Sequence, residues 1–203
     1  MSGALHPPVE DAAEARRAIM AFRREQRERL LAARLAVSTG EHRAAVAAVE
    51  KRLDAVIEAL RPAILGAYWP IRREFNPLPL LQRCHAAGVQ LALPTIVVKK
   101  APLEFRLWHP GARMEVGVYD IPYPADGTTV QPDTLLIPLV GFDAAGFRLG
   151  CGGGYYDRTV AVMVPRPRLV GIAYELARIP TIHPLPHDIR MDCVVTETAT
   201  QTF

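Results

Sequence analysis

The residues best equipped for chemistry stand in one run, Arg148-Leu149-Gly150-Cys151-Gly152-Gly153-Gly154-Tyr155-Tyr156-Asp157-Arg158, downstream of the apolar stretch Leu135–Val140 and Gly141-Phe142-Asp143. A buried strand there runs into glycines and then into a helix. Consecutive glycines strip every Cβ from the turn, so backbone N–H groups can converge on an anion, and a helix beginning near Tyr155 adds the positive end of its dipole. This reads as a phosphate cradle. Arg148 supplies a planar fork suited to phosphate oxygens, and Asp157 is a hard oxygen donor able to hold a magnesium ion shared with them. No Gly-Lys-Ser/Thr follows, so the run is not a Walker A loop, and its spacing is not the dinucleotide G-x-G-x-x-G. The competing structural reading is a tight strand–helix turn that needs only positive φ angles.

Two further clusters carry reactive side chains. In Ile182-His183-Pro184-Leu185-Pro186-His187-Asp188-Ile189-Arg190-Met191-Asp192, the prolines forbid a regular helix between the two histidines, so zinc geometry is not expected. Asp188 and Asp192 are oxygen donors that could join Asp157 around magnesium, or could equally cap a turn. In Tyr68-Trp69-Pro70-Ile71-Arg72-Arg73-Glu74, an aromatic ring and a carboxylate follow a strand, where open parallel sheets bind ligands. A flat heterocycle would suit that turn, although taken alone Trp69 reads first as a core or rim aromatic and Glu74 as solvated.

The elements that must position these residues are legible from periodicity. Ile19, Phe22, Leu30, Ala33 and Val37 recur at helical steps and predict an amphipathic helix over about Ala12–Val37. Ser38 and Glu41 have capping-box spacing for a second helix reaching Leu60. Beyond it, short apolar runs alternate with helical patterns, which predicts an α/β protein with a mostly parallel sheet covered by helices. Strands are expected near Ile64–Tyr68, Val89–Leu93, Leu103–Trp108, Leu135–Val140, Leu169–Ala173 and Val194–Thr196, with helices near Leu78–Ala87 and Tyr155–Val164. Segment 109–134, rich in Pro and Gly, is expected to be a long excursion.

Composition narrows the function classes. At 203 residues and half hydrophobic, the chain suits one α/β domain over residues 11–203 behind a flexible leader at 1–10. It has no apolar run long enough to span a bilayer and no secretory signal pattern, so a cytoplasmic protein without a membrane partner is expected. Cys84, Cys151 and Cys193 are scattered, which supports neither disulfides nor a structural zinc. Between Arg16 and Arg52 ten basic residues face four acidic ones, so an anionic partner is one reading of that segment and a solvated helix face the other. A nucleic-acid module is disfavoured, because no RNA-binding signature or interleaved aromatics accompany the arginines.

With these residues in view, the chain resembles the 5-formyltetrahydrofolate cyclo-ligase (5,10-methenyltetrahydrofolate synthetase) family from about Arg23 to Glu197. The likeness is most specific over Pro138–Asp143 and Arg148–Arg158, and is supported by Pro70–Pro77 and by Leu185-Pro186-His187-Asp188 through Asp192 to Thr196-Glu197. It implies a three-layer Rossmann-like α/β fold akin to sugar-phosphate isomerases and CoA transferases, preceded by two N-terminal helices. It also implies ATP- and magnesium-dependent closure of 5-formyltetrahydrofolate, with or without a polyglutamate tail, to the 5,10-methenyl form through a phosphorylated formyl intermediate. By the same resemblance Arg23, Arg27, Arg148, Gly150, Cys151, Gly152, Gly153, Gly154, Tyr155 and Tyr156 match ATP-binding positions. Trp69, Glu74 and Tyr155 match the folate site, Asp157 and Asp188 match magnesium positions, and Glu74, Arg148 and Tyr155 are the expected catalytic residues. Cys151 and Gly153 stand where some members carry basic residues, which shifts the expected phosphate charge onto Arg148, Arg23, Arg27 and backbone amides. A monomer is expected. A sugar-phosphate isomerase or related phosphate-ligand enzyme using the same turn is the alternative within the fold.

Overall fold

The computed structural model describes residues 9–203, with side chains from residue 12 onward. Of the leader expected at 1–10, residues 1–8 lie outside the described residues, while the backbone of Val9 and Glu10 already belongs to the first helix.

Helix α1 spans Val9–Ala36 and α2 spans Thr39–Leu60. The capping box between them forms: the Glu41 N–H donates to the Ser38 hydroxyl at 3.3 Å, and the Ser38 N–H donates to the Glu41 carboxylate at 3.1 Å. Strands β1 (Ile64–Gly66), β2 (Gln90–Thr95) and β3 (Glu104–Trp108) follow, with α3 (Leu78–Ala86) between the first two. Then come β4 (Met114–Val116), β5 (Pro122–Pro124), β6 (Thr129–Val130), β7 (Thr134–Pro138), β8 (Gly141–Phe142) and β9 (Arg148–Leu149). Helix α4 (Tyr155–Val162) and strands β10 (Arg168–Ile172), β11 (Cys193–Val195) and β12 (Thr200–Thr202) complete the chain.

Eight strands form one sheet in the order β12-β11-β10-β7-β1-β2-β3-β6. The central pairs are parallel, with β10 running beside β7 from Arg168 opposite Thr134 to Ile172 opposite Pro138. Antiparallel strands close both edges. Central strands of such a sheet are covered on both faces, so their residues need no alternation of apolar and polar types, and Leu135, Leu136 and Ile137 are all fully buried. On one face α2 and α3 bring Val49, Leu53, Leu80 and Leu81 against Leu65, Leu91 and Leu136. On the other, α4 brings Val160 against Leu135, Ile137 and Leu169. The arrangement is the expected three-layer α/β fold. Among the described residues no helix is long and apolar enough to cross a membrane.

Helix α1 covers neither face. Its Leu30 packs with Val140, Leu149, Ile179 and Ile182, just past the carboxyl ends of the strands. The buried stripe also differs from the expected one: Ala33 is exposed, whereas Arg23 and Arg34 are buried with Leu30. Positions 23, 27, 30 and 34 follow helical spacing, so one face of α1 aims three arginines at the carboxyl edge of the sheet.

Segment 109–134 is more structured than an excursion. It folds into the β4–β5 hairpin, tied by Arg113 to Asp126 at 2.8 Å and by Tyr123 to Glu115 at 2.8 Å, and then adds β6 to the sheet edge. The hairpin β8–β9, likewise unexpected, closes around Asp143. This buried carboxylate accepts N–H bonds from Ala145, Phe147 and Ile182 at 3.0 to 3.1 Å, and so joins the approach to the glycine turn to the C-terminal segment. Replacing Asp143 by Ala strands those donors, and is expected to lower unfolding free energy by about 3 kcal/mol in urea denaturation, while Asp143→Asn loses less.

Candidate active site

The site is assembled where the parallel strands end. Strand β1 leads into Tyr68 and Trp69, β2 ends at Thr95, β7 leads into Leu139, and β10 leads into Tyr174. Three buried polar atoms among the described residues lack hydrogen-bond partners, Arg34 Nη1, Thr95 Oγ1 and Arg158 Nε. Buried polar atoms are normally paired, so orphans at the carboxyl edge mark groups available to a ligand.

The glycine turn connects β9 to α4. Gly152 and Gly154 have φ of +97° and +63°, and a Cβ at Gly153 would sit 2.7 Å from the Tyr155 ring. Side chains are therefore excluded at 152–154 by conformation or by space. Gly150 is different: a Cβ there would meet nothing within 4 Å. No side chain caps the first turn of α4, which leaves its leading N–H groups without a side-chain acceptor at the positive end of the helix.

Two guanidinium groups flank the turn. Arg27 Nε donates to the Gly150 carbonyl at 2.9 Å, and its guanidinium lies 3.8 Å from the position a Gly152 Cβ would take. Arg27 makes no other hydrogen bond among the described residues, and burial, then the neighbouring Arg23 charge, lowers its pKa. Opposite, Arg158 donates to the Gly153 carbonyl and stands over the Tyr155 ring, 5.4 Å from its centroid. Arg158 was not among the expected site residues, because its run position on α4 carries no signal of which way it points.

Arg148, Asp157, Arg23 and Asp188 are placed differently from the open donors expected. Arg148 is buried, and its terminal nitrogens donate to the Ile189 carbonyl at 2.7 Å and to Asp157 at 2.9 Å. The same Asp157 oxygen accepts the Ile189 N–H at 3.0 Å. Arg23 donates to the carbonyls of Ile182 and His183 at 2.9 and 2.8 Å and grips both oxygens of Asp188, which also accepts the Leu185 N–H at 2.6 Å. These four side chains knit α1, the glycine turn and the C-terminal segment together. Asp192 pairs with Arg166 at 2.9 Å and caps Leu169, away from Asp157.

Asp157 keeps one oxygen free of hydrogen bonds and Asp188 Oδ1 accepts a single one from Arg23, so each carboxylate retains lone-pair capacity toward a magnesium ion shared with phosphate oxygens. Among the described residues no group of three or more His, Cys, Asp and Glu side chains is set to hold a metal.

Across from the turn, Glu74 is 8% exposed at the end of the loop that follows β1. Its Oε2 accepts the Ile71 N–H at 3.0 Å, while its Oε1 faces Arg34 Nη1 at 3.8 Å. Burial raises the Glu74 pKa above its usual range, opposed by the Ile71 bond and by Arg34 and Arg72. Trp69 is half-buried beside this loop, and the buried Tyr68 hydroxyl donates to the Phe75 carbonyl at 2.8 Å. Tyr156 turns inward to pack on the α4 side of the sheet, and burial, then the Glu74 charge, raises its pKa. Tyr155 turns outward: its hydroxyl accepts the Lys100 N–H at 3.4 Å and bonds Tyr119, and that phenol contact lowers its pKa. Cys151 is exposed on the turn.

In an open α/β sheet the carboxyl edge, where this turn and the buried carboxylate meet, is where ligands bind. The comparisons narrow the class: residues 19–197 match the model of the 5-formyltetrahydrofolate cyclo-ligase family, and the chain belongs to that family of ligases. The 5-formyltetrahydrofolate cyclo-ligase of Mycolicibacterium smegmatis is 30% identical over 139 residues, covering 64% of this chain and 71% of the relative. That of Escherichia coli is 33% identical over 130 residues, covering 61% and 71%. The Aquifex aeolicus 5,10-methenyltetrahydrofolate synthetase superposes with a TM-score of 0.78 at 28% identity over 89% of this chain and 92% of that one. A Mycoplasma pneumoniae 5,10-methenyltetrahydrofolate synthetase shares the fold, with a TM-score of 0.72 at 23% identity over 86% and 98%.

The Arg23–Asp188 pair has a pH signature. Burial alone would raise the Asp188 pKa, but the Arg23 and Leu185 hydrogen bonds and the Arg23 charge outweigh it and hold the carboxyl below its ordinary 3.8. A carboxyl depressed by folding stabilises the protein above its unfolded-state pKa, and that contribution is lost as pH falls through the lower folded value. Asp188→Asn is therefore expected to be less stable by about 3 kcal/mol at pH 7, with the difference from the parent shrinking below about pH 4 in pH-dependent denaturation.

Proposed function

We propose that this protein closes 5-formyltetrahydrofolate to 5,10-methenyltetrahydrofolate with ATP as phosphoryl donor, releasing ADP and phosphate. The observation that carries the reading is the pairing, on one carboxyl edge, of a glycine turn free of side chains with the buried Glu74 carboxylate beside Arg34. A formamide oxygen is a poor leaving group, so it first attacks the γ-phosphorus and displaces ADP. N10 then adds to the activated carbon, the C–O bond breaks as phosphate departs, and loss of the N10 proton leaves the conjugated methenyl cation.

Each stage has its protein groups. The turn's N–H groups, the start of α4 and the Arg27 guanidinium bind the phosphates and offset charge on the transferring group. Arg158 flanks the same turn from the α4 side. Glu74 accepts hydrogen bonds from the heterocycle, Trp69 offers it a face, and Tyr155 borders both ligands. Holding N10 against the activated carbon supplies rate through proximity, and no covalent enzyme intermediate is needed. Arg148, Asp157, Arg23 and Asp188 act by fixing the turn.

The alternative phosphate-ligand reading predicts turnover without ATP. The test is to mix purified protein with 5-formyltetrahydrofolate, ATP and magnesium and to follow the near-ultraviolet absorbance of the methenyl product together with ADP. Coupled, ATP-dependent appearance of both products is expected, and Arg27→Ala is expected to raise the KM for ATP about tenfold or more, the worth of one lost charge-assisted hydrogen bond. Absence of methenyl product, or its formation without ATP, would overturn the assignment.

A further inference from the structure

Arg34 was not singled out by its sequence context, yet it is the most deeply placed cation of the site. It is 3% exposed. Its Nη2 donates to the Leu139 carbonyl at 2.6 Å, where the chain leaves β7, and this bond fixes the guanidinium plane. Its Nη1 is buried without a hydrogen-bond partner and lies 3.8 Å from Glu74 Oε1, too far for a hydrogen bond and close enough for strong charge interaction. A buried guanidinium nitrogen left unpaired is costly, so its retention beside a single carboxylate calls for a reason.

The Glu74 loop is itself tied to the end of the same helix. Arg73 donates to the carbonyls of Leu35 and Val37 at 3.0 and 2.8 Å from a left-handed backbone conformation with φ of 56°. Helix α1 and the Glu74 loop therefore form one unit, with Arg34 inside the joint.

We propose that Arg34 is the positioning residue of the heterocycle site, supplying from α1 the counter-charge that keeps Glu74 an acceptor and orients its Oε1. The inference rests on the reading of Glu74 as part of the folate site. Other groups facing Glu74 do not replace Arg34. Tyr68, Tyr156 and Tyr174 are buried phenols whose pKa values are raised, and Cys151 on the turn is a thiol whose pKa is also raised. Arg72, from Glu74's own loop, is the other cation acting on it, but Arg72 is exposed and its charge is screened by solvent. Burial favours the neutral acid, and Arg34 opposes it from within the fold, where water does not compete.

The consequence is directional. An opposite charge within about 4–6 Å lowers a carboxyl pKa by about 1–3 pH units, so removing Arg34 lets Glu74 take up a proton at higher pH. For Arg34→Met, the acid limb of kcat/KM for 5-formyltetrahydrofolate is expected to move up by about one pH unit, a further loss that approaches about tenfold at pH values well down the limb, while the KM for ATP stays near that of the parent. Arg34→Lys keeps the charge and is expected to restore the position of the limb even where overall activity is reduced. In a Glu74→Gln background no carboxyl remains to titrate, so adding Arg34→Met is expected to leave the pH profile unchanged. Equal losses for ATP and folate with an unmoved acid limb in both Arg34 variants would show a purely structural arginine and overturn the proposal. Arg34→Lys alone decides the matter if Arg34→Met does not fold: a limb displaced despite the retained charge overturns it. Failure of the parent protein to bind 5-formyltetrahydrofolate in equilibrium titration would instead overturn the function itself, and this role with it.

Discussion

Everything at the carboxyl edge depends on how α1 disposes of its buried cations. A guanidinium taken out of water has to be hydrogen-bonded and charge-paired, or its desolvation destabilises the fold. Arg23 meets that demand with two carbonyls of the C-terminal segment and the Asp188 carboxylate. Arg34 meets it only in part, through Leu139 and the more distant Glu74. The helix thereby holds opposite walls of one site, the C-terminal segment near its middle and the Glu74 loop near its end. Arg27 lies between the two on the same face and spends a single N–H on the protein. Arg27 is thus the one of these three arginines without a carboxylate partner among the described residues, and it lies beside the glycine turn.

The turn shows the same division between what folding needs and what a ligand needs. Gly152 and Gly154 take backbone conformations that side chains rarely adopt, and Gly153 has no room for a Cβ. These three positions are explained by the local fold alone. Gly150 is not, since a side chain would fit there without a clash. Its carbonyl instead receives Arg27, so a small residue there leaves the approach to that guanidinium clear. The supporting pair Arg148–Asp157 sits beneath, joined to the backbone of Ile189 through both partners. Both terminal nitrogens of this buried arginine bond within the protein, so it serves the fold as a strut between the turn and the C-terminal segment.

Which of these features were legible in the sequence follows from how local their physics is. The Ser38–Glu41 capping box and the glycine turn are written in neighbouring residues and form as read. The central strands were legible because burial on both faces demands long apolar runs, and their ends fall within two residues of those expected. The β8–β9 hairpin was not, because strands of two residues are too short to show a period. Nor was the role of Arg148, Arg23 and Asp188, whose residue types were noticed but whose partners lie 41, 159 and 165 positions away along the chain. Arg34 gave no signal, since an arginine four residues from a buried leucine ordinarily lies on a solvated helix face.

The basic excess of the N-terminal segment then has a structural explanation that composition could not supply. Ten basic residues against four acidic suggest a surface awaiting a polyanion. Arg23 and Arg34, however, are buried, and Arg27 is half-buried against the glycine turn. Arg23 is paired with Asp188 and Arg34 faces Glu74, so most of this charge is spent inside the fold, where low dielectric strengthens each contact and screening by salt is weak. A single amphipathic helix, basic on the side that faces inward, is sufficient to convert a surface-like composition into an active-site wall.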